Sequence, residues 1–352
     1  MQPLATSDYD VDAKYFATHL RILPSHYTQA DTSRMTLGYF CVGGLDLLGK
    51  LETHISQHQR TAWIDWIYAQ QIHPSEHFGP DSGVCGFRGS PFIGAKYDCA
   101  HSTAVHSGDI SHITMTYTAL ALLLTLEDDL SRVDREAIIG SLARLQCEDG
   151  CFSPTLDSYE KDMRFLYCAC AISFILSDWR GVNKIKAREY IMASRAFDYG
   201  YGQGPGHESH GGSTYCAIAS LWLMNDLGDD VINKEKTIFW LLSRQETGFQ
   251  GRINKAPDTC YSFWVGACLE MLGSYQQIVD VNALHEFLIL THSKHGGYSK
   301  IPKNYPDILH SYMGFAGLAI SGKPGLGKLV SALGISQRSF DFWKNLGLKA
   351  RS

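Results

Sequence analysis

The feature that most constrains the fold is a segment that recurs at intervals of roughly fifty residues. Five copies align on a tyrosine and read MTYTALALLLTL, FLYCACAISFIL, STYCAIASLWLM, TCYSFWVGACLEML and HSYMGFAGLAIS. The aligned residues are Tyr117, Tyr167, Tyr215, Tyr261 and Tyr312, with spacings of 50, 48, 46 and 51 residues. An earlier segment of the same character, LGYFCVGGLDLLG, contains Tyr39. A period of this length is typical of a helical array.

A second recurring feature, a glycine in a turn, lies upstream of each of the last four tyrosines. The stretches EDGCF, DYGYG, ETGFQ and HGGYS place glycines at Gly150, Gly200, Gly248 and Gly297, each after a helical stretch. The repeating unit is therefore a helix, a Gly-rich turn, a polar loop and a helix rich in small residues. Small residues allow close packing of inner helices, and strand signals are scarce. We therefore expect an all-α fold, an α/α barrel (toroid) of six helix-pair repeats with six inner and six outer helices.

The repeats extend through most of the chain, which predicts a single α/α-barrel domain over residues 1–352. The interval between Tyr39 and Tyr117 is 78 residues, longer than the other spacings. Its excess falls in the polar, Gly/His-rich stretch 73–110, which we interpret as a loop-rich insertion.

Charge and hydropathy exclude several classes of function. The net charge of −5 provides no basic surface for nucleic acid or an anionic membrane. The longest apolar run, ALALLLTL at 119–126, is too short to cross a bilayer. The first residues do not resemble a signal peptide, and the ten cysteines form no CxxC pairs. We therefore expect a cytoplasmic protein with reduced thiols and no membrane span.

Chemically active residues cluster just before the aligned tyrosines. If the repeats are equivalent, these residues lie at one end of the barrel, on neighbouring inner helices. They are Arg164, Glu208, His210, Asp258, Cys260, Asp307 and His310. Asp258, Cys260 and His310 offer oxygen, sulfur and nitrogen ligands, and three protein ligands with an open position are typical of catalytic zinc. Asp-x-Cys is also explained by a capping aspartate and a core cysteine, so both interpretations stay open.

The same end has the features of an anion site. Helix N-termini favour anions, and Arg252 and Lys255 add positive charge. A helix cap fully explains Asp307, whereas Glu208 is either a cap or a partner of the site. His210 is either a loop histidine satisfied by backbone or an anion contact. Arg164 and Lys300, taken alone, are explained as solvated charges.

Aromatic residues on or near the inner helices have two explanations. They are Tyr167, Tyr215, Tyr261, Phe263, Trp264, Tyr312 and Phe315. Most are expected in the core, but some would face the central cavity of a closed ring. A cavity with aromatic walls beside a cationic rim would suit a long apolar ligand with an anionic head.

Three long stretches, matched in order and in phase with the repeats, resemble the β subunits of protein prenyltransferases, and most of all those of the geranylgeranyl type I group. They read ESHGGSTYCAIASLWLM, GFQGRINKAPDTCYSFW and PDILHSYMGFAGL. The resemblance begins in TSRMTLGYF, passes through CGFRGS, DLSRV and DMRFLYCA, and extends to residue 321. The stretch 84–110 begins like the family and then diverges, and the C-terminal tail 322–352 diverges throughout.

The resemblance implies a β subunit that works only as a heterodimer with a helical-repeat α subunit. The implied reaction transfers a geranylgeranyl group from geranylgeranyl diphosphate to the cysteine of a C-terminal CaaX motif, typically ending in Leu. Rho-type small GTPases carry such motifs. One zinc ion per β subunit, held by Asp258, Cys260 and His310, would activate the thiol. Lys300 stands where farnesyltransferases carry a magnesium-binding aspartate, so magnesium is not expected to be required.

The resemblance also implies roles for the remaining site residues. The diphosphate contacts would be His210, Arg252, Lys255 and Tyr261, of which Tyr261 counts with Lys300 among the catalytic residues. Arg164 and Trp264 would contact the isoprenoid diphosphate and its chain. Thr36 matches a small residue that leaves room for the longer lipid where farnesyltransferases carry tryptophan. Met313 stands near the end of the lipid tunnel, where the family leads us to expect an aromatic residue.

Other functions remain open from the sequence. A farnesyltransferase or Rab-type geranylgeranyltransferase β subunit would share the zinc ligands, although SHGGSTYC fits the CaaX type better. A terpene cyclase on the same barrel would need an acidic run facing the cavity, and EDDL at 127–130 is the candidate. A non-catalytic barrel that binds a ligand is a further alternative, against which the intact Asp258, Cys260 and His310 argue.

Overall fold

Helices dominate the structure, a computed structural model that describes residues 9–73, 85–91, 110–156 and 158–348. The longer helices are α1 (Asp10–Arg21), α2 (Arg34–Leu47), α4 (Gln57–Tyr68), α5 (Ile113–Thr125), α6 (Arg135–Leu145), α7 (Met163–Ile175), α8 (Lys184–Ala193), α9 (Gly211–Leu223), α11 (Lys234–Leu242), α12 (Tyr261–Met271), α14 (Val281–Thr291), α15 (Ile308–Ile320) and α16 (Gln337–Asn345). Single-turn helices are α3 (Leu51–His54), α10 (Asp229–Ile232) and α13 (Tyr275–Ile278), and a 3₁₀ helix covers Ser25–Ser33. The expected all-α character is confirmed.

Strands are confined to two short antiparallel pairs in the described ranges. Strand β1 (Gln71–Ile72) pairs with β2 (Gly86–Phe87), and β3 (Leu329–Val330) pairs with β4 (Ile335–Ser336). The predicted insertion 73–110 lies mostly outside the described residues, because 74–84 and 92–109 are not among them. No helix in the part of the chain that the structure describes is both long and apolar enough to cross a membrane.

The helices alternate in chain order as the repeat predicts. The pairs are α1 with α2, α4 with α5, α6 with α7, α8 with α9, α11 with α12, and α14 with α15. The second helix of a pair is apolar around its whole circumference and is buried accordingly. In α5, for example, every residue except Thr114 is buried. This burial distinguishes the predicted inner helices from the amphipathic outer ones.

The described residues fall into two compact units. The first comprises Met1–Ile22, Phe40–His54 and Ile191–Arg338, and the second comprises the intervening segments and the C-terminus. Within the first unit, α12 packs between α9 and α15, and within the second, α5 packs against α7. The single-domain organisation stays a prediction.

Five of the inner helices begin with the same local arrangement. A side chain accepts a backbone N–H two or three residues ahead, and an aromatic residue follows the capping residue by five positions. The capping residues are His112, Asp162, His210, Asp258 and Asp307. Capping by Asp and His satisfies N–H groups that have no partner within the helix.

The structure corrects the alignment of one repeat. The Asp258 N–H donates to Phe249 O at 3.0 Å, as the His210 N–H donates to Tyr201 O at 3.0 Å. Asp258 is therefore equivalent to His210, and the fifth residue after it is Phe263. The alignment on Tyr261 was wrong by two residues, and with Phe263 the spacings become 50, 48, 48 and 49.

The glycine turn of this repeat is also shorter than that of the preceding repeat. The turn closed by the bridge between Gln245 and Phe249 spans two residues fewer than the turn between Arg195 and Tyr201. Gly248 makes the short turn possible, since a Cβ there would lie 2.4 Å from Cδ1 of Phe287 on α14. Downstream of the turn the repeats stay in phase, because Phe249 precedes Phe263 by 14 residues just as Tyr201 precedes Tyr215. Tyr261 therefore lies two residues before the core packing position of its helix, and its ring is available for another role.

The first helix packs on the last repeat. Asp12 of α1 is buried and accepts hydrogen bonds from His292 Nε2 and from the Gly297 N–H, both at 2.8 Å. Gly297 has φ +77°, and a Cβ there would lie 2.9 Å from the Tyr15 ring. Helix α1 therefore supplies the outer surface against which the last glycine turn packs.

Candidate metal and anion site

Three potential metal ligands converge at the N-terminal ends of α12 and α15. An oxygen of Asp258, the sulfur of Cys260 and a ring nitrogen of His310 all lie within 4.8 Å of one another. Asp258 Oδ1 is 3.2 Å from His310 Nε2. The structure therefore brings together the oxygen, sulfur and nitrogen donors that the sequence placed on adjacent inner helices.

The start of α12 holds two of these ligands close together. Asp258 Oδ1 accepts the Cys260 N–H at 3.0 Å, and the Tyr261 N–H donates to Asp258 O at 3.1 Å. The Phe263 N–H also reaches back only three residues, to Cys260 O at 3.1 Å. This tight 3₁₀-type turn precedes the regular helix, and it keeps the carboxylate and the thiol on the same side of the chain.

Asp307 orients the third ligand, a role that the sequence did not predict. It caps α15 as expected, accepting the His310 N–H at 2.9 Å, and its second oxygen is 2.7 Å from His310 Nδ1. With Nδ1 held by Asp307, Nε2 points to Asp258. Metal-binding histidines commonly have such a carboxylate partner, which fixes the ring and its tautomer.

The pKa values of His310 and Cys260 are raised, so both groups favour their protonated forms in this site. Burial would lower the pKa of His310, but its hydrogen bonds to Asp258 and Asp307 outweigh burial and raise the pKa to about 9. Burial opposes ionisation of Asp258, yet His310 and the Cys260 N–H hold its pKa below the usual value. Burial and the Asp258 charge raise the pKa of the Cys260 thiol well above its usual value. A bound cation would take the place of these protons.

The donor set suits zinc. Asp258 is 7% exposed and Cys260 8% exposed, so few water molecules compete for the ligands. A thiolate, an imidazole and a carboxylate together favour zinc over magnesium or calcium, which prefer oxygen ligands. The exposed Lys300 lies at the edge of the group, with Nζ 3.6 Å from Asp258 Oδ2.

His210 and Tyr261 form a second polar group in the same unit. His210 Nδ1 accepts the N–H groups of Gly212 and Ser213 at 3.1 and 3.3 Å, so the ring proton is on Nε2. Nε2 donates to the Tyr261 hydroxyl at 2.9 Å. Burial and the Arg252 charge lower the pKa of His210, in keeping with a neutral ring. The Tyr261 hydroxyl proton therefore remains free to be donated to a ligand.

Two glycines fix the ring of Tyr261. A Cβ on Gly251 would lie 2.1 Å from Tyr261 Cζ and 2.2 Å from its oxygen, and one on Gly211 would lie 3.0 Å from Cδ1. The Gly211 N–H also donates to Gly251 O at 2.8 Å. Gly211 of HGG and Gly251 of GFQG are thus required by close approach to this ring.

Positive side chains accompany this group. Arg252 Nη1 is 3.2 Å from Glu208 Oε2, with Arg252 half-buried and Glu208 exposed. Glu208 is thus an ion-pair partner of Arg252 and not the cap of α9, which is His210. Lys255 is exposed and has no ion pair with any described residue.

The predicted lipid contacts have local partners in both units. In the unit that contains Asp258, the rings of Trp264 and Tyr215 are 4.9 Å apart, and Met313 is buried. In the other unit, Arg164 forms ion pairs with Asp162 and Glu160, and Thr36 Oγ1 is 3.4 Å from Met115 Sδ. Their roles toward a lipid stay predictions.

The acidic run expected of a terpene cyclase has structural partners. Glu127 pairs with Arg60, Asp128 accepts the Leu130 N–H and the Tyr68 hydroxyl, and Asp129 accepts the Ser131 N–H. These contacts stabilise the turn that follows α5. The run therefore gives no support to a cyclase.

Comparison with known proteins identifies relatives over nearly the whole chain. A β subunit of geranylgeranyl transferase type-1 from Dictyostelium discoideum is 41% identical over 340 residues, covering 93% of this chain and 94% of the relative. The corresponding subunit from Arabidopsis thaliana is 37% identical over 345 residues, covering 95% and 90%. A farnesyltransferase β subunit from Arabidopsis thaliana is 31% identical but covers 73% of this chain.

A solved structure and a family model give the same result. The Candida albicans protein geranylgeranyltransferase-I complexed with GGPP matches with a TM-score of 0.86 at 26% identity, covering 99% of this chain and all of that chain. Residues 8–335 match the model of the prenyltransferase alpha-alpha toroid domain. The predicted fold class and enzyme class are confirmed, and the chain belongs to the prenyltransferase alpha-alpha toroid family.

Proposed function

We propose that the chain is the zinc-dependent catalytic β subunit of a protein geranylgeranyltransferase of type I. The observation that carries the proposal is the convergence of Asp258, Cys260 and His310, in the same compact unit as a hydroxyl and two exposed cations. The donor would be geranylgeranyl diphosphate, and the acceptor would be the cysteine of a C-terminal CaaX motif. The names of the type-1 relatives support this choice of lipid.

Asp258, Cys260 and His310 would hold the zinc ion, and three protein ligands would leave a position for the acceptor thiol, as in catalytic zinc sites. When bound, zinc would coordinate the acceptor thiol and lower its pKa, so that a thiolate forms near neutral pH. Asp307 keeps the Nδ1 proton of His310 in place, so Nε2 would be the ligand atom. No separate general base is needed once the acceptor thiol is held as a thiolate.

The polar group around Tyr261 would bind the diphosphate. Arg252 and Lys255 supply positive charge, and His210 directs the hydroxyl proton of Tyr261 toward a ligand. Negative charge grows on the diphosphate as its bond to the lipid breaks. Donors that are already oriented therefore stabilise the transition state more than the ground state.

Lys300 would supply the positive charge that a divalent cation supplies in related enzymes. Its ammonium group is 3.6 Å from Asp258, within reach of a diphosphate that approaches the metal ligands. A fixed positive charge at this position would make magnesium unnecessary. Trp264 and Met313 would contact the lipid chain, and the resemblance implies lipid contacts for Arg164 and Thr36 as well.

Several partners follow from this assignment. The relatives are named as β subunits, so we expect an α subunit in a heterodimer. CaaX proteins such as Rho-type small GTPases would be the acceptors. The nine cysteines in the described part of the chain are free thiols, which supports a reducing compartment and a cytoplasmic location.

Co-expression with a cognate α subunit tests the proposal. Purified heterodimer would be given labelled geranylgeranyl or farnesyl diphosphate, with CaaX peptides ending in Leu or Ser. We expect geranylgeranyl transfer to the Leu peptide to be preferred and to proceed without magnesium. Preference for the farnesyl donor and the Ser peptide would instead make the chain a farnesyltransferase subunit, and absence of transfer would contradict the enzyme assignment.

A further inference from the structure

A buried arginine of the first unit lacks the partners that a buried charge normally has. Arg244 follows α11 and is 6% exposed, and its Nη1 is buried without a hydrogen-bond partner among the described residues. Its Nε donates to Trp240 O at 3.3 Å. Buried charges are usually paired, and replacing one by an apolar residue is often neutral or stabilising. Stability alone therefore does not account for an arginine at this position.

The other repeats place uncharged residues at the same position. The position is identified by its carbonyl, which accepts an N–H from the residue after the glycine-turn bridge. In this repeat, Arg244 O accepts the Gln250 N–H at 2.8 Å. The equivalent residues, all buried, are Leu145, Ser194 and Thr291. The fold of the repeat therefore does not require a positive charge here.

The Trp240 ring connects Arg244 to a carboxylate. Arg244 Cζ is 5.1 Å from the centroid of the Trp240 ring, and Trp240 Nε1 donates to Asp198 Oδ2 at 2.9 Å. Burial lowers the pKa of Arg244, and the charge of Asp198 opposes this effect. Within the described ranges, neither residue belongs to an ion pair. The two charges therefore act on each other at longer range, through protein that screens them less than water does.

Asp198 lies beside the proposed diphosphate site. One of its oxygens accepts the hydroxyl of Ser209, which is buried and immediately precedes His210. A diphosphate bound at His210 would therefore be repelled by the charge of Asp198. Glu208, the residue before Ser209, is already balanced by its ion pair with Arg252.

We infer that Arg244 is a positioning residue for the diphosphate, because it offsets the charge of Asp198 and keeps the surroundings of His210 favourable for an anion. The inference rests on the proposed function, since it requires a diphosphate at His210. Arg244 acts through Asp198 and does not touch the ligand. The carboxylate itself is needed to hold Ser209 and Trp240. The buried charge therefore serves anion binding at the expense of stability.

Binding measurements on the heterodimer test the inference. Arg244→Met removes the charge, and Lys236→Met is the matched control because it removes an exposed positive charge from the neighbouring helix α11. Kd would be measured for geranylgeranyl diphosphate and for geranylgeraniol, the uncharged alcohol of the same chain. In Arg244→Met we expect Kd for the diphosphate to rise about tenfold, with Kd for the alcohol unchanged and Tm equal to or above that of the wild type. Lys236→Met should leave both Kd values unchanged.

A double-mutant cycle separates an effect of charge from a structural effect. In the Asp198→Asn background, Arg244→Met should raise Kd for the diphosphate by less than about twofold, because the charge to be offset is gone. The same loss in both backgrounds would overturn the inference. A lower Tm with equal loss of affinity for the diphosphate and the alcohol would overturn it as well, because a structural role predicts that result.

A second variant keeps the test decisive if Arg244→Met is unstable. Arg244→Gln also removes the charge but retains a side-chain N–H that can bond to Trp240 O, and it should weaken diphosphate binding alone. Failure of both variants to fold would contradict the inference, since Arg244 would then be required for stability. Absence of diphosphate binding in the wild-type heterodimer would instead contradict the proposed function.

Discussion

Gly251→Ala tests whether the position of the Tyr261 hydroxyl controls the reaction. The added Cβ would lie 2.1 Å from Tyr261 Cζ, whereas real Cβ contacts essentially never fall below 3.0 Å. The ring must therefore move by at least the difference, 3.0 minus 2.1, which is 0.9 Å. A displacement of this size at a reacting group can reduce turnover about a hundredfold, because the donor no longer meets the developing charge.

The expected loss is in kcat for geranylgeranyl transfer, with overpacking lowering the free energy of unfolding by about 1–3 kcal/mol. Gly140→Ala on α6 is the matched control, since a Cβ there meets no atom within 4 Å. That substitution should leave turnover unchanged and slightly stabilise the helix. Steady-state kinetics and thermal unfolding of the two variant heterodimers would separate a local displacement from a general loss of stability.

A double-mutant cycle identifies the route of the effect. Tyr261→Phe removes the hydroxyl directly, so adding Gly251→Ala to it should cost little more in kcat if the glycine acts through that hydroxyl. Fully additive losses would mean that Gly251 serves another part of the site. Wild-type kcat in Gly251→Ala would refute the assignment of Tyr261 to the reaction.

Three further predictions concern charge, protonation and lipid length. Lys300→Asp should slow turnover and make it respond to added magnesium, and a wild-type enzyme that stops without magnesium would contradict the role of Lys300. Because folding raises the pKa of His310 to about 9, the protonated ring stabilises the zinc-free fold fully below pH 6.5, and this stabilisation is lost as pH rises through about 9. The Tm of the zinc-free protein should therefore fall over this pH window, and it should fall less in His310→Gln. Thr36→Trp should favour farnesyl over geranylgeranyl transfer. Burial of one isoprene unit is worth roughly 3–4 kcal/mol, which allows about a hundredfold selectivity. An unchanged ratio of kcat/KM for the two lipid donors would exclude Thr36 from the lipid site.

The repeat was sufficient to predict the helix pairs, because burial of the inner helices requires the same apolar pattern in every unit. It failed at Tyr261 for a physical reason. Alignment on a residue type cannot detect that Phe263 occupies the core position of this repeat and that Tyr261 is an additional tyrosine two residues before it. Because Tyr261 lies two residues before the core position, its hydroxyl contacts His210.

Side-chain geometry accounts for what the sequence left undecided. The capping role fully explained Asp307 in the sequence, yet its second oxygen also holds His310, and no spacing rule shows that. His210 has a backbone contact and a side-chain contact together, because Nδ1 accepts backbone N–H groups while Nε2 donates to the Tyr261 hydroxyl, and its contact with an anion stays a prediction. For Arg164, the local ion pairs give no information about a lipid, so its role still depends on the resemblance.

Zinc content and peptide alkylation in Cys260→Ala test the central claim most directly. Cys268→Ala is the matched control, because Cys268 is a buried thiol on the same helix, remote in sequence from the ligand group. We predict one zinc ion per heterodimer and normal transfer in the wild type and Cys268→Ala, and loss of both in Cys260→Ala with binding of geranylgeranyl diphosphate largely retained. Stoichiometric zinc and normal turnover in Cys260→Ala would contradict the account.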